Sequence, residues 1–145
     1  MKKAVGIVLL AFGIAALFIA CGPAAPKTVK FGVFEPLTGA NAGGGALEVE
    51  GIKLANELYP TVKVGDKEYK IELVIADNKS DKVEAANAAQ RLVDKDKVNV
   101  VLGSWGSSLS MAAGPIVKNA KVSAIGLSCT NPLVTKDNEY YFRVC

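Results

Sequence analysis

Short apolar runs alternate with helically spaced segments along this chain. Thr28–Leu37 places Val29, Phe31, Val33 and Phe34 between turn residues and reads as a buried strand. Thr38–Gly45 is too small and too rich in Gly to predict regular structure. Ala46–Leu58 returns to helical spacing, with Leu47, Ile52 or Leu54, Ala55 and Leu58 on one face, and Pro60 stops it. Val62–Val64, Gly65-Asp66 and Tyr69–Asp77 predict a hairpin leading into a second strand, Ile71–Ala76. Asp77-Asn78-Lys79-Ser80 is a loop of capping residues, with Asp77 itself expected to cap the loop, and Ser80 or Asp81 opens the next helix. That helix presents Val83, Ala86, Asn87, Ala89, Gln90 and Val93 as a small-residue face. Val98–Leu102 is a third strand, Ser107–Asn119 a third helix and Val122–Leu127 a fourth strand. A helical turn at Asn131–Thr135 and a fifth strand at Tyr140–Val144 complete the pattern.

Strands that alternate with helices predict an α/β fold: an open parallel sheet, right-handed crossovers and helices on both faces. Parallel strands are buried on both sides, and the fifth strand has no covering helix after it. The expectation is therefore one lobe of a larger protein, truncated before a second lobe.

The first residues stand apart from this pattern. Lys2 and Lys3 precede an uncharged apolar stretch, Ala4–Ala20, and then Leu17-Phe18-Ile19-Ala20-Cys21. This reads as a lipoprotein signal peptide over residues 1–20, with Cys21 as the lipidation site. Such signals carry Leu at the third place before the Cys; here Phe18 stands there, with Leu17 one place back. An uncleaved membrane helix is the competing reading on length alone. The small residue before Cys21 and the Pro/Ala stretch after it favour cleavage. Residues 21–27 would form a tether and residues 28–145 the lobe. The location expected is extracytoplasmic, anchored to the membrane through lipid.

Half the chain is hydrophobic, enough for one compact domain. The formal charge of +3 includes both signal-peptide lysines, so the processed chain is near neutral, and no nucleic-acid partner is expected. With no His and no closely spaced Cys pair, neither a metal nor another cofactor is expected. Cys129 and Cys145 end successive predicted strands. In an exported protein they either pair as a disulfide or are buried small hydrophobes.

The candidate chemistry lies at Gly103–Met111, Gly-Ser-Trp-Gly-Ser-Ser-Leu-Ser-Met, between the third strand and third helix. The first amides of a helix have no intrahelical acceptor, and the macrodipole adds partial positive charge there. Ser107 and Ser108 add neutral hydroxyl donors. The next strand repeats the arrangement with Ser128-Cys129-Thr130-Asn131-Pro132. Adjacent parallel strand ends open into one crevice, where ligands of such sheets bind. Neutral donors suit the carboxylate of a zwitterion without desolvating a lysine. Each hydroxyl also has a plainer reading: Ser107 and Ser108 as helix caps, Thr130 as a turn hydroxyl, and Trp105 as a core aromatic.

Several stretches, taken in order, resemble the N-terminal part of solute-binding proteins of the leucine/isoleucine/valine-binding family. They are Phe31-Gly32-Val33-Phe34-Glu35-Pro36-Leu37-Thr38-Gly39, Glu50-Gly51-Ile52-Lys53-Leu54-Ala55 and Asp77-Asn78-Lys79-Ser80-Asp81. Val101 to Ser108, Thr130-Asn131-Pro132 and Tyr141-Phe142-Arg143 follow. The resemblance implies one lobe of a two-lobe receptor that delivers an amino acid, branched-chain or otherwise small and aliphatic, to an ABC transporter permease. It implies that Ser107 and Thr130 hold the ligand carboxylate, that the Ser128 carbonyl accepts from its ammonium, and that Trp105 lines the side-chain pocket. A family acid that also takes the ammonium would lie beyond Cys145. Where the family often has a Tyr in the first loop, the alignment puts Gly44, which leaves space for a larger ligand or for Trp105.

An enzyme is disfavoured. Gly103-Ser104-Trp105-Gly106-Ser107 lacks the nucleophile-elbow order, there is no His to serve as a base, and Gly39–Gly45 lacks dinucleotide-binding spacing. The remaining alternative is a ligand-sensing domain of a receptor on the same fold, with an amide or other small molecule as ligand.

Overall fold

The computed structural model describes residues 27–145. The signal peptide, Cys21 and most of the tether lie outside the described residues. The elements in order are β1 (Thr28–Glu35), α1 (Ala42–Leu58), β2 (Thr61–Val64), β3 (Lys67–Asp77), α2 (Lys82–Asp94), β4 (Val100–Leu102), α3 (Ser107–Ala120), β5 (Ser123–Gly126) and β6 (Tyr141–Arg143). A 3₁₀ turn at Pro132–Val134 precedes β6. Among the described residues no helix is long and apolar enough to cross a membrane.

All six strands form one sheet in the order β2-β3-β1-β4-β5-β6. Every neighbouring pair is parallel except β2 and β3, a hairpin that adds an antiparallel edge strand. The predicted hairpin therefore extends the sheet itself, and β3 is one continuous strand of 11 residues.

Side chains alternate across the sheet. Phe34, Ala76, Val101 and Ala124 point to one face and are buried under α2 and α3. The helix face that seats there is Ala85, Ala88, Ala89 and Leu92, not the one expected from Val83, Asn87 and Gln90, which are exposed. The i, i+3, i+4, i+7 spacing from Ala85 brings three alanines and one leucine onto the strands. Ala85 and Leu92 lose all exposure. Asp81 caps this helix, accepting from the amides of Val83 and Glu84.

α1 lies on the opposite face. It begins at Ala42, so Gly43, Gly44 and Gly45 are helical rather than irregular. Close packing requires glycine at two of them: a Cβ on Gly45 would stand 2.2 Å from the Pro36 carbonyl oxygen, and one on Gly44 would meet Trp105. The helix buries Gly45 and Val49, and the expected face is not the packed one: Leu47, Leu54 and Leu58 are exposed. Beside it runs an apolar groove of about 470 Å³, lined by Phe31, Ile52, Ala55, Leu73, Leu102 and Leu127 among others.

Candidate ligand-binding crevice

β4 and β5 are parallel neighbours, with Leu102 beside Ile125, so the two strands end within a residue of each other. The chain leaves β4 through Gly103–Gly106 and enters α3 at Ser107. Gly106, at φ 97°, holds the N-cap position and supplies no side-chain cap. Ser107 and Ser108 thus occupy the first helical positions, where amides face outward without intrahelical partners. Neither serves as the N-cap residue itself.

The two strand tips touch. Ser107 Oγ accepts from the Asn131 amide at 3.1 Å, which sets Ser107 beside Thr130. Thr130 and Ser108 are exposed and Ser107 is half-buried. Arg143 fixes the second tip from β6: its Nη1 donates to the carbonyls of Thr130 at 2.9 Å and Cys129 at 3.2 Å. Asn131 Oδ1 accepts from Leu133 N at 2.9 Å and starts the 3₁₀ turn. The first tip is held from beneath, where Ser110 Oγ accepts from Ser104 N and donates to the Ser104 carbonyl, both at 3.0 Å. Tyr141 donates to the Gly103 carbonyl at 2.7 Å.

Trp105 is 38% exposed at this rim. A Cβ on Gly44 would stand 2.3 Å from its Cε2 atom, so the indole occupies the place where a side chain at residue 44 would sit. Ser128 turns its hydroxyl to Glu48 Oε1 on α1. The Asp77 carboxylate is the expected loop cap: it accepts from the amides of Leu37, Thr38 and Lys79 and from the Thr38 hydroxyl. Burial raises its pKa, but these bonds outweigh burial and hold it below the usual carboxylate value.

The possible bridge between Cys129 and Cys145 is not formed. Both cysteines are free, Cys129 buried and Cys145 exposed. The Cys145 thiol donates to the Cys129 carbonyl at 3.2 Å, while the Cys129 sulfur is packed against Gly126. Burial pushes the Cys129 thiol pKa up.

Two residues with no expected role are central. Glu35, at the end of β1, is wholly buried. Its Oε2 accepts from Trp105 N at 2.7 Å. Arg143 was noted for its motif alone and proves to be the clamp on Thr130. The signal for Glu35 was an acid interrupting an apolar strand just before Pro36.

Helix-start amides and neutral hydroxyls thus meet at two adjoining strand tips, an arrangement chemically suited to a small anionic group. The family model for periplasmic binding proteins matches residues 28–144, and the chain belongs to that family. The chain is similar to the leucine binding protein LivK of Thermotoga maritima, with 42% identity and a TM-score of 0.76. That match covers 81% of this chain and 33% of the other. An amino acid binding protein of Pseudomonas aeruginosa is 37% identical over 118 residues, 81% of this chain and 31% of that protein. A solute binding protein of an ABC transporter from Rhodopseudomonas palustris, solved in complex with 3,4-dihydroxybenzoic acid, is 30% identical with a TM-score of 0.73. It is matched over 80% of this chain and 31% of its own. The chain spans about a third of the length of these relatives.

Proposed function

We propose that this chain is the N-terminal lobe of an extracytoplasmic solute-binding receptor that delivers a small aliphatic amino acid, branched-chain or similar, to an ABC transporter. Residues 28–145 are the lobe, held to the membrane through a lipid on Cys21 and the tether at residues 21–27. The observation that carries the reading is the Ser107–Asn131 hydrogen bond, which joins the two strand tips into one crevice. In this reading the Ser107 and Thr130 hydroxyls, with the Ser108 amide and hydroxyl, take the ligand carboxylate. The Ser128 carbonyl takes the ammonium, and Trp105 walls the side-chain pocket. The second lobe closes over the ligand and supplies the remaining contacts. The activity is binding and release, not catalysis.

An aromatic carboxylate is the second reading. Trp105 offers a partly exposed aromatic face at the rim, and a relative is solved with such an acid bound. A carboxylate is common to both ligand classes, so the hydroxyl assignment serves either.

Titration calorimetry of the intact protein against amino acids and hydroxybenzoates separates the two. Aliphatic amino acids are expected to bind. Each hydroxyl bonded to a charged group contributes roughly 1.5–3 kcal/mol, so Ser107→Ala with Thr130→Ala is expected to abolish measurable binding. Full binding by the double variant would refute the assigned site.

A further inference from the structure

Beneath the crevice, two acids meet, and among the described residues no cation is paired with either. Glu35 Oε1 is buried and has no hydrogen-bond partner, and neither has Glu48 Oε2. The other oxygen of each carboxyl is committed: Glu35 Oε2 to the Trp105 amide, Glu48 Oε1 to the Ser128 hydroxyl. The two carboxyls lie within hydrogen-bond reach of each other. Gly103 makes room for them, since a Cβ there would stand 2.5 Å from Glu35 Oε1. Two carboxylates in contact with their facing oxygens buried repel each other, and a buried charge without a counter-ion costs several kcal/mol. One bridging proton removes one of the charges and satisfies both orphaned oxygens.

The surrounding groups supply no substitute for that proton. Ser104 Oγ, 3.5 Å from Glu35 Oε2, and Asn78, which donates to Ser104 Oγ at 2.8 Å, are neutral. From β6 the Tyr141 phenol, close enough to both acids to feel their charge, donates to the Gly103 carbonyl. Arg143 donates through Nη1 to the Cys129 and Thr130 carbonyls, its Nε is buried without a partner, and neither nitrogen bonds a Glu35 or Glu48 oxygen. At the end of β3, Asp77 is turned to Leu37 and Thr38. From α3 the Ser110 hydroxyl is engaged with the Ser104 backbone.

We propose that Glu35 and Glu48 share one proton, and that this acid pair is a positioning device fastening the Trp105 loop and the Ser128 strand tip to β1 and α1. The pair touches no ligand in this arrangement; it acts through the backbone of Trp105 and the hydroxyl of Ser128. Burial first, and then the neighbouring Glu48 carboxyl, raise the Glu35 pKa to about 9. Because the folded value lies above the unfolded one, the stability due to the proton is complete below the ordinary carboxylate range. It is lost as pH rises toward about 9. Above that the two tips lose their common anchor. The consequence for ligand affinity rests on the function proposed above; the proton and the loop anchoring do not.

The test uses glutamate labelled with ¹³C at the side-chain carboxyl, in the full chain. One glutamate carboxyl is expected to titrate far above the others, and its signal to vanish in Glu35→Gln. Trp105 is the only tryptophan, so its fluorescence should shift with the same midpoint in the parent and not in Glu35→Gln. The variant amide donates to Glu48 permanently. If Glu35→Gln does not fold, Glu48→Gln replaces it and is expected to lower the Glu35 midpoint. If every glutamate titrates in the ordinary range, or the high midpoint survives Glu35→Gln, the shared proton is refuted. If the carboxyl titrates high while Trp105 emission stays flat, the positioning role is refuted. In the intact receptor, Glu35→Gln should bind at neutral pH as the parent does and keep its affinity at alkaline pH. Glu35→Ala should weaken binding about tenfold or more, as loss of a hydrogen bond to a charged group does. A parent that binds no amino acid at any pH would count against the proposed function, while the titration and fluorescence results would stand.

Discussion

The two faces of the sheet are built to different standards of completeness. On one, Phe34, Val101 and Ala124 meet Leu92, Leu109, Ala113 and Val117, and all of them are buried to about 1% exposure or less. On the other, α1 seats only Gly45 and Val49 fully, while Leu47, Leu54 and Leu58 are 76%, 57% and 65% exposed. The groove beside α1 is lined by the half-buried strand residues Phe31, Leu73 and Leu102 and by half-buried Leu127 just after β5. The same alternating strands feed both faces, so the difference is not one of hydrophobicity. It lies in what is available to cover them. Two helices in sequence cover the first face, and one glycine-rich helix partly covers the second. A contiguous apolar surface of this kind marks a place where something else packs. This supports the proposal that the chain is part of a larger two-lobe protein, whose relatives are about two and a half times as long.

The sharpest way to break the contrast is to cut into the closed face. Leu92 is fully buried against the strands, and its Cδ1 lies 3.2 Å from where a Cβ on Gly32 would stand. Leu92→Ala removes three carbons from a site with little freedom to collapse, and should cost about 2–5 kcal/mol. Denaturant unfolding of the chain measures it. A loss under about 1 kcal/mol, the size of an ordinary surface effect, would mean the α2 face is as loose as the other.

α1 makes tight contacts at its N-terminal end, where Gly45 meets Pro36 and Gly44 meets Trp105 at the crevice. Gly44→Ala gains about 1 kcal/mol of helix propensity but drives a methyl into Trp105. Overpacking of this kind costs about 1–3 kcal/mol, so the variant should be neutral to moderately destabilised. In a Trp105→Ala background the clash is gone and Gly44→Ala should become stabilising. A double-mutant cycle by denaturant unfolding reports the coupling. No coupling would mean that the indole moves aside freely and does not wall the pocket.

Much of this architecture is legible along the chain. The alternation of β-branched runs with helical spacing is strong enough to predict the sheet, its parallel crossovers and the juxtaposition of Ser107 with Thr130. Besides the packed face of α2, three things are not legible. Which face of α1 packs was misread because leucines outweigh glycines in any hydrophobic count, while close approach to Pro36 selects Gly45. The helical state of Gly43–Gly45 was hidden for the same reason: glycine is a poor helix former locally, and tertiary contact overrides that. The roles of Glu35 and Arg143 depend on partners 70 and 13 residues away in sequence, and no local pattern carries such a pairing.

The smallest expected effect carries the comparison furthest. Leu54 lies on the exposed leucine stripe of α1. In this chain Leu54→Ala removes apolar surface that already meets water, and should change stability by less than about 0.5 kcal/mol. In the intact protein, if further polypeptide packs on this stripe, the same substitution becomes a core truncation and should cost about 2 kcal/mol or more. Denaturant unfolding of both forms, compared at matched ionic strength, gives the two values. Equal small values would show that the stripe stays solvated in the longer protein. The open face would then be a feature of the lobe itself rather than a seat for the rest of the chain.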